Sequence, residues 1–346
     1  MRTLWYRTIR FYIKIGLFFY TKRTITIGKE HIPKKGAVLF AINHPNGLLD
    51  PLMVTCNVSR DTYYLVRAAA FKNYLADKLL RSLHLRPIYR IRDGRQEMSK
   101  NESVFNDCFE ILNNQKVLMI FPEGSHDHRR TVRMISKGFT RIVFGALDAY
   151  PDLKISVVPV GITYQNLGQF PSKVAIHFGT PISANDFYNP KELNTSIDAL
   201  KEQVSMQLKT LSVHIPADEN YASTLEKLNK NNTDYTKVNK VNKAIQENNF
   251  TRYKRKFNMI KPLYYILILN SIIPWVIWKY IAKKIDEREF IDTFRAVFGA
   301  FLFPIFYLLQ SSILYYFYNS KIAMYYLAFT IITTLIYTKF SVTQTE

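Results

Sequence analysis

From Thr24 to Phe178, short apolar runs rich in β-branched residues alternate with stretches of helical period. The runs Thr24–Ile27, Ala37–Ile42, Lys116–Phe121, Ile155–Thr163 and Val174–Phe178 read as strands. Between them Leu48–Cys56, Ala69–Leu83, Glu97–Asn113 and Phe139–Ala149 carry the 3.6-residue pattern of helices. Strands alternating with helices predict an α/β fold with a mostly parallel central sheet flanked by helices. Residues 186–212 read as one or two closing helices, so the domain runs over 23–215. Ahead of it, residues 1–22 form an amphipathic helix. Arg7, Arg10 and Lys14 share one face, with Trp5, Ile9, Tyr12, Ile13 and Phe19 largely opposite, a pattern suited to lying in a membrane interface.

Beyond the domain the pattern changes twice. Residues 216–261 are rich in Asn and Lys and poor in large apolar side chains, which predicts a basic, partly helical connector. Residues 262–346 then hold three runs free of Asp, Glu, Lys, Arg and His: Pro262–Trp278, Ala296–Ser320 and Ile322–Thr338, of 17, 25 and 17 residues. About 20 residues cross the hydrocarbon layer, so this region predicts about two to three transmembrane spans. The middle run is long enough by itself, whereas the outer two are short and compatible with re-entrant segments. Trp275 and Trp278, followed by Lys279, Lys283 and Lys284, resemble an interfacial belt.

Charge adds a partner to this picture. The formal net charge is +20, and most of it lies beside the apolar segments. Residues 1–35 hold nine Lys/Arg against Glu30 alone, and residues 222–261 hold ten against three acids. Such clusters suit anionic lipid headgroups. Nucleic acid would attract the same charge but leaves the apolar tail without a purpose. The two cysteines, Cys56 and Cys108, have neither disulfide nor metal spacing, which fits a reducing compartment. Residues 1–22 lack the uninterrupted apolar core and small-residue cleavage site of a signal peptide.

Two strand ends carry candidate chemistry. After Ala37–Ile42 comes Asn43-His44-Pro45-Asn46-Gly47-Leu48-Leu49-Asp50. A histidine with a carboxylate on its second ring nitrogen is a minimal general base. After Lys116–Phe121 comes Phe121-Pro122-Glu123-Gly124-Ser125-His126-Asp127, followed by Arg129, Arg130, Arg133 and Lys137. Glu123 can accept hydrogen bonds from hydroxyls, and the cations can hold a phosphate. Arg90 and Arg92 fall on one side of Pro87–Asp93 if that segment is extended. In Val158-Pro159-Val160-Gly161-Ile162, proline predicts an edge or bulge and glycine a close approach of ligand to backbone. His31, His84, His177 and His214 have no partner at a recognisable spacing. His126, Asp127 and His128 lack a further ligand for a metal site.

Taken in order, these blocks resemble the glycerolipid acyltransferase family, which includes lysophosphatidate and glycerol-3-phosphate acyltransferases. The likeness covers about residues 20–185. Its blocks fall at His44/Asp50, Arg90, Phe121–Gly124 and Val158–Gly161, with Lys137-Gly138 matching a Lys-Gly pair after the third. Two departures stand out. Five residues separate His44 from Asp50 where the family usually has four, and His126 replaces a common Arg. Both recur in a branch related to fungal glycerol-3-phosphate/dihydroxyacetone-phosphate acyltransferases.

The resemblance implies an O-acyltransferase of phospholipid biosynthesis. It would move a fatty acyl group from acyl-CoA or acyl-carrier protein to a glycerol-phosphate-type hydroxyl, with lysophosphatidate yielding phosphatidate as the leading acceptor. It implies His44 and Asp50 as catalytic residues and Arg90, Glu123, Gly124, Ser125, Arg129 and Lys137 as substrate contacts. No metal and no cofactor is expected beyond the acyl donor, and the expected partners are that donor and membrane lipids. The expected location is an integral membrane protein with its catalytic domain on the cytoplasmic face. Glycerol-3-phosphate, dihydroxyacetone-phosphate or an acylated amino lipid as acceptor, a non-catalytic scaffold and a transport component are the rival readings. Because every motif precedes the connector, the tail is expected to be dispensable for chemistry.

Overall fold

In the computed structural model, residues 2–89, 99–253, 257–343 and 345 are described. Helix α1 (Arg2–Tyr20) leads into β1 (Arg23–Ile27), β2 (Ala37–Ile42), α2 (Leu49–Thr55), β3 (Thr62–Arg67), α3 (Tyr74–Ser82) and β4 (Leu85–Ile88). There follow α4 (Asn101–Asn113), β5 (Val117–Ile120), α5 (Gly138–Ala149), β6 (Ile155–Tyr164), β7 (Lys173–Phe178), β8 (Ile182–Ser183) and α6 (Leu193–Leu211). Two short helices, α7 (Tyr221–Lys230) and α8 (Val238–Gln246), precede the tail of α9 (Lys261–Asn270), α10 (Ile272–Ala282), α11 (Ile291–Phe317) and α12 (Ser320–Phe340).

The strands form one sheet in the order β1-β7-β6-β2-β5-β3-β4, with β8 alongside β6. Neighbours are parallel except β7 and β8 against β6. The central strands are apolar without interruption because both faces are covered. Val38, Phe40 and Ile42 pack with Leu17, Leu49 and Met53 toward α1 and α2. Ala37, Leu39 and Ala41 pack with Leu112, Phe139 and Val204 toward α4, α5 and α6.

Several elements depart from the sequence expectation. The segments forming β3, β4 and the two-residue β8 are strands beyond the five expected, and the helix expected over Ala69–Leu83 is confined to Tyr74–Ser82. Strand β6 is interior rather than an edge. Pro159 falls where the neighbour on one side changes from β8, paired at Val157, to β7, paired at Val160, so its missing N–H interrupts no continuous ladder. Gly161 makes room for protein rather than ligand: a Cβ there would sit 2.2 Å from the Leu211 carbonyl at the end of α6. Arg7 and Arg10, expected at headgroups, pair instead with Asp61, Arg7 at 3.0 Å and Arg10 at 3.4 Å. Leu4, Trp5, Phe11, Tyr12, Ile15 and Phe18 are the large apolar or aromatic side chains of α1 that stay exposed.

The basic stretch after α6 builds a small core of its own, with Leu228, Tyr235, Val238 and Val241 packing on Val213, Ile215 and Ala175. Buried Arg130 lies 3.6 Å from the Tyr235 ring centre and donates to the Tyr164 and Gln165 carbonyls. In the tail, α11 and α12 are long and apolar enough to cross a membrane, while α9 and α10 meet at a 97° bend. The tail docks on α1: Tyr12 donates to the Ala300 carbonyl, Gly16 lies against Ala300, and Lys339 donates to Phe18 and Thr21 carbonyls.

Candidate active site

Adjacent parallel strands β2 and β5 end side by side, and the loops leaving them meet at the carboxyl edge of the sheet, where α/β proteins commonly build sites. Asn43 fixes the first loop by bonding both backbone groups of Ile162 on β6, at 2.7 and 3.1 Å. The Asp127 N–H donates to the His44 carbonyl at 3.0 Å and ties the loops together.

His44 Nδ1 lies 2.8 Å from Asp50 Oδ2. Its ring stacks on Phe121, the first residue after β5, with ring centres 3.9 Å apart. The extra residue between His44 and Asp50 is accommodated, because Asp50 sits in the first turn of α2 and that turn brings its carboxylate back to the ring. Asp50 is fully buried. Its Oδ2 also accepts the Asn46 N–H at 2.7 Å, and its Oδ1 accepts the Tyr164 hydroxyl at 2.7 Å. Burial pushes the Asp50 carboxyl well above the usual carboxylate range, against the opposing pull of these two donors. The arrangement leaves His44 Nε2 as the ring nitrogen facing away from the carboxylate, the position a general base requires.

The second loop supplies a carboxylate and a guanidinium. Glu123 Oε2 lies 2.7 Å from Arg133, whose guanidinium also donates to Ser125 Oγ at 2.7 Å and to the Ser125 carbonyl. Desolvation raises the Glu123 pKa, with Arg133 opposing. Its other oxygen, Oε1, is buried without a hydrogen-bond partner among the described residues. Gly124 turns the chain at φ 75°, which favours glycine.

The remaining predicted contacts are placed less tightly. Arg129 is paired with Asp127 at 2.8 Å, which outweighs partial burial and keeps that carboxyl below its usual range. Lys137 is exposed immediately before α5. Arg90 lies outside the described residues.

Several residues belong to the site that the motifs did not name. Tyr164 stands two residues past the Val-Pro-Val-Gly-Ile run, and Asn46 lies inside the first motif. Arg133 was visible only as one cation among several. From the tail, Asp292 accepts the Asn46 side-chain N–H at 3.1 Å, and Glu287 meets His126 at 2.9 Å. His126, Glu287 and Glu289 bring ligand atoms within 4.8 Å of one another. A carboxylate just ahead of a long uncharged run was the available signal for Asp292.

An apolar groove approaches His44 from the side of α1. Tyr6, Ile13, Leu48, Leu52, Leu85 and Phe121 are among its lining residues. Phe121, which stacks on His44, connects the groove to that ring.

The family model described as Acyltransferase matches residues 23–163. Glycerol-3-phosphate O-acyltransferase 1 of Saccharomyces cerevisiae is 27% identical over 115 residues, 32% of this chain and 15% of that protein. Glycerol-3-phosphate O-acyltransferase 2 of the same yeast is 30% identical over 116 residues, 34% of this chain and again 15% of the relative. The match thus spans a small part of either curated protein. The crystal structure of the 1-acyl-sn-glycerophosphate acyltransferase from Thermotoga maritima aligns with a TM-score of 0.44 at 19% identity, over 60% of this chain and 81% of that one. Residues 23–163 of this chain are thus similar to the acyltransferase family model.

Proposed function

We propose that the protein transfers a fatty acyl group from a thioester donor, acyl-CoA or acyl-carrier protein, to a hydroxyl of a glycerol-phosphate-type acceptor. The observation carrying this reading is the His44–Asp50 pair at 2.8 Å, with the carboxylate buried and doubly supported, beside a partly unpartnered Glu123.

In the first step His44 Nε2 takes the proton of the acceptor hydroxyl as its oxygen attacks the thioester carbonyl. Asp50 holds the opposite ring nitrogen and stabilises the imidazolium. Collapse of the tetrahedral intermediate breaks the C–S bond, and His44 returns its proton to the departing thiolate. Glu123 Oε1 accepts a glycerol hydroxyl, and the Gly124–Ser125 turn shapes the same wall. Arg90, Arg129 and Lys137 are assigned to the acceptor phosphate, where charge-assisted bonds are strongest. The acyl chain lies in the groove between α1 and α2, whose walls are apolar up to Phe121. The thioester supplies the driving force, so the reaction requires no redox group.

Lysophosphatidate is the acceptor we favour, because both a lipid acceptor and its product partition into the bilayer that α11 and α12 suit. The yeast relatives support glycerol-3-phosphate as the second reading. The catalytic domain is assigned to the cytoplasmic face, since the basic connector and the lysines after α10 obey the positive-inside tendency together. Purified protein offered lysophosphatidate, glycerol-3-phosphate and dihydroxyacetone phosphate, each with acyl-CoA and acyl-carrier protein, tests the proposal by mass spectrometry of the products. The expected product is phosphatidate, absent with His44→Ala. Equal product from both proteins would remove His44 from the chemistry.

A further inference from the structure

Asp292 opens α11 and is 5% exposed. One of its oxygens accepts the Asn46 side-chain N–H at 3.1 Å and the Gly168 N–H at 2.9 Å. The other accepts the Tyr20 hydroxyl at 2.9 Å and Arg295 at 3.3 Å. A single carboxylate from the tail therefore joins the end of α1, the loop after β6, and the loop carrying His44.

The path to the chemistry is one residue long. Asn46 places its side chain on Asp292 and its backbone N–H on Asp50 Oδ2, the same oxygen that faces His44 Nδ1. A displacement of Asn46 is a displacement of the line between His44 and Asp50. The tail supports the same loop at the next residue, because a Cβ on Gly47 would lie 3.0 Å from the Phe290 ring and 3.1 Å from the Glu289 carbonyl.

A buried carboxylate is a costly way merely to seat a helix, since desolvation must be offset by its hydrogen bonds. Here two of its four donors belong to catalytic-side loops, and one of those donors touches the dyad's own support. We propose that Asp292 is a positioning residue for the His44–Asp50 dyad, holding Asn46 so that the catalytic loop is set only when the head of the first long apolar helix is seated against it. The inference rests on the acyl-transfer reading of the site.

Full-length protein in nanodiscs tests it. Asp292→Ala should lower kcat by about 10- to 100-fold, the scale of a catalytic group displaced by a fraction of an ångström to an ångström, with KM for donor and acceptor within about threefold. In Asp292→Asn the amide oxygen can still accept from Asn46 and Gly168 while its nitrogen faces Tyr20, so kcat should stay within about fivefold of wild type. Asn46→Ala breaks the same link from the other side, which keeps the test alive if Asp292→Ala fails to fold. Combining the two should cost no more than the worse single change, because coupled neighbours are not additive. Tyr20→Phe cuts the opposite end of the network and should leave kcat within twofold even if melting temperature falls.

A turnover-free measurement separates this inference from the functional reading. Carbethoxylation of His44 by diethylpyrocarbonate, followed on its peptide by mass spectrometry, should accelerate at least threefold in Asp292→Ala and stay unchanged in Asp292→Asn. Wild-type protein that acylates no acceptor would sink the acyl-transfer reading, while the labelling still decides whether Asp292 holds the dyad. Unchanged labelling and kcat in Asp292→Ala, equal losses for the Ala and Asn variants, or additive losses in the double variant would each overturn the proposal.

Discussion

Replacing Asp50 by Asn separates the electrostatic part of the dyad from its geometry. Asp50 Oδ2 accepts from His44 and from the Asn46 N–H, while Oδ1 accepts from the Tyr164 hydroxyl. An amide can occupy the same space with its oxygen toward His44 and Asn46 and its nitrogen toward Tyr164, whose hydroxyl rotates to accept. The ring keeps its tautomer and loses only the carboxylate that stabilises the imidazolium. A hydrogen bond to a charged group contributes about 1.5–3 kcal/mol, so kcat should fall by roughly one to two powers of ten. Stability should move the other way. Burial raises the folded-state pKa of Asp50 above its unfolded value of about 3.9. Below that value both states are protonated and the carboxyl carries no penalty. As pH rises from there toward the folded-state pKa, the wild-type fold loses stability that Asn does not lose. Melting curves in detergent should therefore show Asp50→Asn equal to wild type near pH 4 and progressively more stable toward pH 8. Full activity in Asp50→Asn would mean that His44 is not charged in the transition state. A variant markedly less stable at pH 8 would show that the donors around Asp50 outweigh its desolvation.

His44→Ala should reduce kcat by about 10²- to 10⁴-fold, the usual span of a general base, with melting temperature changed by only a few degrees. Arg133→Ala leaves Glu123 buried and unpaired, at a cost of about 3–5 kcal/mol; adding Glu123→Gln should recover a measurable part of the lost melting temperature, and failure to recover any would mean the pair is not the source. Burial pushes the Cys56 thiol up to about 11 and Cys108 to about 12, so maleimide at pH 7.5 should label neither in the native protein and both after unfolding. Rapid native labelling, or loss of transfer on treatment, would contradict the burial of these thiols and a thiol-free mechanism.

The central strands were legible because burial on both faces leaves an uninterrupted apolar run, as in Ala37–Ile42. The dyad was legible because both members lie in one short motif, within six residues. Strand β3 was not, since Thr62–Arg67 carries a tyrosine pair instead of an uninterrupted apolar run and lies between the helices expected over Leu48–Cys56 and Ala69–Leu83. Arg7 and Arg10 show the limit of reading charge: the spacing gave their common face, but Asp61, their partner, is some fifty residues away. Asn46 read as a loop residue because the carboxylate that gives it a role is 246 positions distant. Periodicity reports burial and local chemistry, whereas a polar side chain's partner is set by the tertiary fold.

The tail illustrates this most fully. Read as three full spans, the runs after residue 261 would place the basic connector and Lys279, Lys283 and Lys284 on opposite sides of a bilayer, against the tendency of both to stay together. A bent pair that enters and leaves on one side would remove the conflict. Before α9, the Tyr253 N–H bonds to Asn231 beside α7. After α10, Glu287 and Phe290 meet His126 at the catalytic loops. The chain ahead of α9 is thus tied to the connector beside α7, and the chain after α10 to the loops around His44, with a 97° bend between the two helices. Polar backbone exposed at such a bend is tolerated at membrane depth only when protein covers it. Here Gln310 donates to the Asn270 carbonyl at 3.3 Å, Tyr326 lies 3.2 Å from the Asn270 side chain, and Tyr307 pairs with Ser271 at 2.6 Å. The same return delivers residues 287–292 to the His44 loop. A hairpin that dips and comes back, one of the two forms such a bend can take, would account at once for the charge distribution, for the polar residues in an otherwise apolar tail, and for a tail carboxylate lying one residue from the His44–Asp50 pair.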